Sequence, residues 1–222
     1  MRHRRHTRRH LSSGFFSNLS ITNWIIITNV LFFIFSLFLL SQNEGFIDYI
    51  ALKPSNILQG RYLWSIVTSM FMHANFSHLF VNMISLMFIG NFLERIVGRK
   101  RFFWFYIFSG LISALFFVGL ALVFKSELDI FAVGASGAIF GLGGLLMILT
   151  PNLPVLVFFI IPMKMWKAMI FLMFGIWIIS LIAGLPIGNT AHLGGLLTGI
   201  AYGLYLKRKY KRKVSMLNRM FG

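Results

Sequence analysis

The sequence predicts an all-α polytopic membrane protein of six helices, and three observations carry that prediction. Hydrophobic residues make up 58% of the 222-residue chain and charged residues only 12%, with 26 Phe and a mean hydropathy of +0.80, whereas about a quarter of a soluble domain is charged. Six apolar runs recur between polar segments. The positive charges keep the same frame: with both tails on one side, only Lys53, Arg61 and Lys125 of the 21 Lys and Arg fall on the other. That is the bias that orients membrane helices.

The chain divides into a basic tail over 1–23, a membrane domain over 24–206 and a second basic tail over 207–222. There is room for one bundle and no separate soluble domain. A net charge of +16 raises the question of nucleic acid, so the positions of the charges matter. Arg2, Arg4, Arg5, Arg8 and Arg9 precede the first apolar run, and Lys207, Arg208, Lys209, Lys211, Arg212, Lys213 and Arg219 follow the last. Such flanks read as topology determinants and contacts to anionic membrane lipids. No nucleic acid partner is expected, because no basic surface interleaved with aromatics accompanies them. With no Cys there is no disulfide, thiol nucleophile or thiolate metal site. Oligomeric state leaves no mark in the sequence.

Helix 1 is expected over Trp24–Leu40, 17 residues or about 25 Å, just enough to cross the hydrocarbon. A cleaved signal peptide is the competing reading of this basic-then-apolar start, but no small-x-small cleavage pattern follows Leu40. Gln42–Phe76 is a long connection with amphipathic pieces such as 62–67, expected in the interface and either functional or packed on itself. Helix 2 is expected over Ser77–Leu93, with His78 and Asn82 four apart on one face near its start. A basic turn over Glu94–Arg101 leads to helix 3, Phe102–Phe124, and the loop 125–133 leads to Ser136. Helix 4, Ser136–Leu149, is 14 residues, about 21 Å, shorter than the membrane is thick. Thr150–Met165, with three Pro around a β-branched and aromatic run, reads as an interfacial or partly inserted connection. Helix 5 is expected over Trp166–Ala183, a Gly/Pro-rich turn over Gly184–Thr190 and helix 6 over Ala191–Leu206.

In this six-span frame helices 2, 4 and 6 start on the same side. His78, Asn82, Ser136 and His192 then share one end of the bundle at similar depth, where polar groups are costly and are functional candidates. Ser136 sits between Gly134 and Gly137 where a polar loop becomes an apolar helix. Its N–H is an orphan donor of a helix start, beside the positive end of the helix dipole, a place to stabilise an oxyanion. A serine in a Gly-rich helix is more often a packing residue, and a lone His at a helix start more often an interfacial one; shared depth weighs against both. Gly195, Gly199 and Gly203 on helix 6 and Gly137, Gly141 and Gly144 on helix 4 form small-residue stripes that permit close backbone contact. His192 lies on the glycine face, so that contact would bring it to Ser136 as a base for a nucleophilic hydroxyl. No acid flanks His192, which predicts a dyad; Glu127 and Asp129 stay open as a third member. No metal is expected, because His73 and His78 have no acid between them, and no aspartyl dyad, because no Asp lies within a span.

At these residues the sequence resembles the rhomboid intramembrane serine proteases. The resemblance runs from about Leu63 to Gly203 through His73-Ala74-Asn75-Phe76-Ser77-His78-Leu79-Phe80-Val81-Asn82-Met83, the stretch 90–98 with Tyr106 and Ser109-Gly110, Gly134-Ala135-Ser136-Gly137, and Ala191-His192-Leu193-Gly194-Gly195. It implies a rhomboid-like form of the six-transmembrane-helix bundle; the charge bias makes both termini cytoplasmic, and the plasma membrane is the expected location. It implies Ser136 as nucleophile and His192 as base, with His78, Asn82 and the Ser136 N–H as oxyanion donors, Gly134 shaping the loop beside them and His73 in support. It implies substrates that are transmembrane-helix proteins, cut near the outer face, and no cofactor. Helix 5 and the 184–190 turn would gate entry, so Phe171, Phe174 and Trp177 are expected to influence turnover. Two departures stand out: Trp64-Ser65 where many relatives have Trp-Arg, and Phe140 where an aromatic hydroxyl commonly stacks on the base. Phe140 can stack but offers no hydrogen bond. The competing readings are a non-catalytic relative that binds transmembrane helices and, more weakly, a small transporter or channel.

Overall fold

The computed structural model describes residues 19–158, 160–184 and 188–221. The basic run from Arg2 to Arg9 and part of the predicted gating turn, residues 185–187, lie outside them. Helix α1 (Ile21–Gln42) begins at Ser20, whose Oγ accepts the Asn23 N–H. Of its 22 residues only Thr22, Ile25, Asn29, Phe33 and Ser36, one every three or four, are buried. That stripe packs on α5 (Phe76–Val97), which starts at the cap Asn75. The turn expected over Glu94–Arg101 is shorter than the charges suggest. Helix α5 runs through Val97, Gly98 alone makes the break, and α6 (Arg99–Ala121) follows.

Glu94 therefore lies inside a helix and is 6% exposed. Its carboxylate accepts the N–H groups of Ile21 and Thr22, each at 2.9 Å, and the Thr22 hydroxyl at 2.8 Å. These orphan donors at the start of α1 are what make a buried carboxylate tolerable here.

The long 43–75 connection is packed on itself. It holds a 3₁₀ turn (Glu44–Phe46) and the short helices α2 (Ile47–Ile50), α3 (Pro54–Leu58) and α4 (Ser65–Thr68). It is also stitched to the loop before Ser136: Leu52 and Ala132 exchange two backbone hydrogen bonds, and the Gly134 N–H donates to the Ser69 carbonyl at 2.8 Å. Ser55 donates its N–H to Leu128 and its hydroxyl to Asp129.

Helix α7 (Ser136–Leu149) begins and ends where the sequence predicts and sits at the centre, against α5, α6, α8 (Met165–Ala183) and α9 (Asn189–Lys209). Every residue from Gly137 to Leu146 is buried, as expected of a helix apolar on all sides. The proline-rich stretch before α8 is a hairpin of β1 (Pro154–Val157) and β2 (Ile161–Lys164), the one strand pair among the described residues, with Pro154 opposite Lys164. Helix α8 touches the bundle through Met165, Ala168, Met169 and Met173, and a short α10 (Lys211–Asn218) closes the chain. Among the described residues four helices, α1, α5, α6 and α8, are long and apolar enough to cross a membrane. This all-α membrane architecture is the predicted class.

The contact of α7 with α9 is backbone on backbone. A methyl group on Gly195 would collide with the Gly137 carbonyl, and one on Gly199 with the Gly141 carbonyl. The stripes expected to face each other do so at these positions, while Gly144 meets the α9 backbone at Leu196 and Ile200, and Gly203 meets Ile148.

Candidate active site

The α7–α9 contact determines what lies above it. Ser136 is the first residue of α7 and His192 the fourth of α9, so abutting the two helices at Gly137 and Gly195 sets the side chains together. The Nε2 of His192 lies 2.8 Å from the Oγ of Ser136. Accepting that hydroxyl requires the imidazole proton on Nδ1, which has no hydrogen-bond partner among the described residues. Phe140, one turn after Ser136, stacks on the imidazole with centroids 4.5 Å apart and 13° between planes. His192 is buried, while Ser136 keeps partial exposure.

Glu127 and Asp129, left open as a third member, are committed elsewhere. Glu127 accepts the Thr190 hydroxyl at 3.0 Å, and Asp129 takes the Ser55 hydroxyl and lies 3.5 Å from Lys53. Burial raises the Glu127 carboxyl above the usual carboxylate range, whereas the Ser55 hydrogen bond, with Lys53 beside it, lowers that of Asp129.

Gly134 carries φ +117, where a side chain is strained. A Cβ there would meet the His78 ring at 2.8 Å and the Asn82 Nδ2 at 3.4 Å. His78 and Asn82 thus flank the loop that leads into Ser136, as their placement on one helix face predicted. The Asn82 amide nitrogen is buried with no hydrogen-bond partner among the described residues, an unspent donor facing that loop. His73 is placed behind His78, ring centroids 5.1 Å apart, with Nδ1 3.2 Å from the Phe71 carbonyl. Burial pushes His73 down to about 4, with His78 adding to the effect, so it is neutral at physiological pH.

Three supports escaped the sequence reading. Ser113 donates to the Ala191 carbonyl at 2.6 Å, the residue before His192. Ser69 holds Gly134, and Thr190 ties the first turn of α9 to Glu127. Ser109 and Ser113, four apart in an apolar helix, were a legible sign of a polar face turned inward.

Among the described residues, no group of three or more His, Cys, Asp or Glu could hold a metal ion. Membrane-length helices around a part-buried Ser–His contact define a class, the multi-pass membrane proteins with a polar site at one end of the bundle. A sequence profile of the Rhomboid domain matches residues 60–209, which contain His73, His78, Asn82, Gly134, Ser136, Phe140 and His192. The chain belongs to the rhomboid family.

Among its relatives, rhomboid protein 1, mitochondrial, of Saccharomyces cerevisiae is 32% identical over 73% of this chain and 48% of its own. RHOMBOID-like protein 6, mitochondrial, of Arabidopsis thaliana is 37% identical over 70% of this chain and 48% of its own. YdcA of Bacillus subtilis, provisionally named a rhomboid protease, is 34% identical over 68% of this chain and 70% of its own. The chain spans about half the length of the first two.

Proposed function

We propose that this chain is an intramembrane serine endopeptidase that hydrolyses a peptide bond in or near the transmembrane segment of membrane-protein substrates. The observation that carries the reading is the 2.8 Å contact between Ser136 Oγ and His192 Nε2. In the first step His192 takes the hydroxyl proton as Ser136 attacks the carbonyl carbon, and the carbonyl oxygen becomes an oxyanion. The Ser136 N–H, the Asn82 amide and the His78 ring stabilise that charge. His192 then protonates the leaving amine, and water, activated by the same imidazole, releases the acyl group. His73 supports the His78 ring from behind. No cofactor enters this scheme.

The same reading has six spans, with α7 and α9 as the two central ones, both termini cytoplasmic in the plasma membrane, and anionic lipids at the basic tails. The site then opens to the outer side. Helix α8, held to the bundle by a narrow stripe, is the mobile wall through which a substrate helix enters, which gives Phe171, Phe174 and Trp177 their influence on turnover.

The test is labelling of the detergent-purified chain with a fluorophosphonate, together with cleavage of a single-span model substrate. Wild type should label and cleave; Ser136→Ala and His192→Ala should do neither. A folded wild type that binds the substrate helix but neither labels nor cleaves would sink the protease reading in favour of a non-catalytic helix-binding role.

A further inference from the structure

The end of the bundle opposite Ser136 holds a feature that the Ser–His pair does not use. A cavity of about 1120 Å³ opens between α6 and α9. Trp104, Phe108 and Ile112 line its α6 side at helical spacing, with Ala201 and Tyr205 on the α9 side. Trp104 is 60% and Phe108 59% exposed, so no other part of the described chain covers the groove. From Arg101 to Ile112 the helix rises about 16 Å, close to half of the roughly 30 Å hydrocarbon core. The groove therefore has the depth of one leaflet.

Its mouth is Arg99, Lys100 and Arg101. Arg99 is engaged by the Leu19 carbonyl and by Glu94 at 3.8 Å, and Arg101 lies over the Tyr210 ring. Lys100 has no protein partner among the described residues. The chain has five acidic residues, and Glu44, Asp48, Glu127 and Asp129 all lie in the connections at the Ser136 end, between the long helices. The fifth, Glu94, is committed to the start of α1. Among the described residues Glu94 is the one side-chain carboxylate at this end, and it reaches only Arg99, so Lys100 and Arg101 are left without one; an apolar groove with such a cationic rim matches one amphiphile.

The geometry points to a binding site for an anionic phospholipid, its phosphate held by Lys100 and Arg101 and one acyl chain lying along the groove to Ile112. This inference is independent of the protease reading. Phosphate oxygens give the two cations charge-assisted partners, and the chain covers Trp104 and Phe108 within the leaflet they face.

Native mass spectrometry of the full chain, titrated in detergent with phosphatidylglycerol or phosphatidylcholine, tests it. Wild type should retain phosphatidylglycerol more than tenfold better. Replacing both cations, Lys100→Gln with Arg101→Gln, should weaken that retention roughly thirty-fold, at about fivefold for each cation near the surface. Filling the groove with Ala201→Phe should weaken it comparably with the charges intact. Equal retention of the two lipids by wild type would overturn the proposal, as would wild-type retention by Ala201→Phe. Displacement by excess inorganic phosphate would do the same, since it would reveal an anion site that does not need the groove. If a variant fails to fold, Trp104 serves instead: brominated phosphatidylglycerol should quench wild type more than Trp104→Phe, and quenching no greater than that by brominated phosphatidylcholine would overturn the site.

Discussion

Phe140 lies flat on the His192 imidazole, 4.5 Å between centroids, and both are carried by helices whose backbones touch. The ring carries no hydroxyl, so its contribution is planar contact alone. That contact restrains an imidazole whose Nδ1 has no partner among the described residues.

Phe140→Leu keeps an apolar side chain of similar bulk but removes the flat face. The variant should melt within a few degrees of wild type in detergent. Its turnover of a model substrate should fall about ten- to a hundredfold, since small misplacements of a catalytic group carry losses of that order. Unchanged turnover would mean that the ring does not orient the base.

Asn82→Ala should lower kcat by about a hundredfold or more with little change in KM. In the proposed mechanism the lost donor acts where charge develops and not on the bound ground state. Steady-state kinetics on a fluorogenic substrate reads the split; a rise in KM alone would place Asn82 in substrate binding.

Gly195→Ala should be far more harmful than its size suggests. The added methyl meets the Gly137 carbonyl, a backbone atom in a central helix, so the helices must part. Overpacking of this kind costs about 1–3 kcal/mol and should also lower fluorophosphonate labelling by widening the Ser136–His192 contact. Gly175→Ala is the control: its new methyl has open space and the melt should be unchanged or slightly raised.

Glu94→Gln should separate stability from chemistry. The amide keeps one acceptor where the carboxylate has two, leaving a buried donor of α1 unpaired at about 1–3 kcal/mol. A lower unfolding midpoint with normal labelling below that midpoint is the expected result.

His73 adds a pH dependence with a definite sign. Its folded pKa of about 4 lies below the ordinary 6.5, so between those values the unfolded chain binds more protons and stability falls as the pH drops. The loss begins near 6.5 and levels off near 4. His73→Gln should flatten the unfolding midpoint across this window relative to wild type, and parallel profiles would show that His73 carries none of it.

How much could be read before the structure differs by region, for a physical reason. The long apolar runs announce their helices because lipid-facing segments must satisfy their own backbone hydrogen bonds. The start of α7 at Ser136, the shared end of His78, Asn82 and His192, and the glycine faces of α7 and α9 follow from spacing and from the charge bias. Helix ends were less legible. Charge placed Glu94 in a turn, yet it is buried in α5 because its partners, Ile21 and Thr22, lie more than 70 residues away in the chain.

The sequence by itself determined the membrane class, the order of the helices and the residue types gathered at one end, since composition and periodicity are local properties. The tertiary structure decided which of those residues touch. The 2.8 Å Ser136–His192 contact, the turning of Asn82 toward Gly134 and the commitment of Glu127 to Thr190 depend on helices meeting at particular backbone atoms. A contact between residues 56 positions apart is set by how closely α7 and α9 approach. That approach is limited by a single Cβ at Gly195 or Gly199, a distance no local pattern encodes.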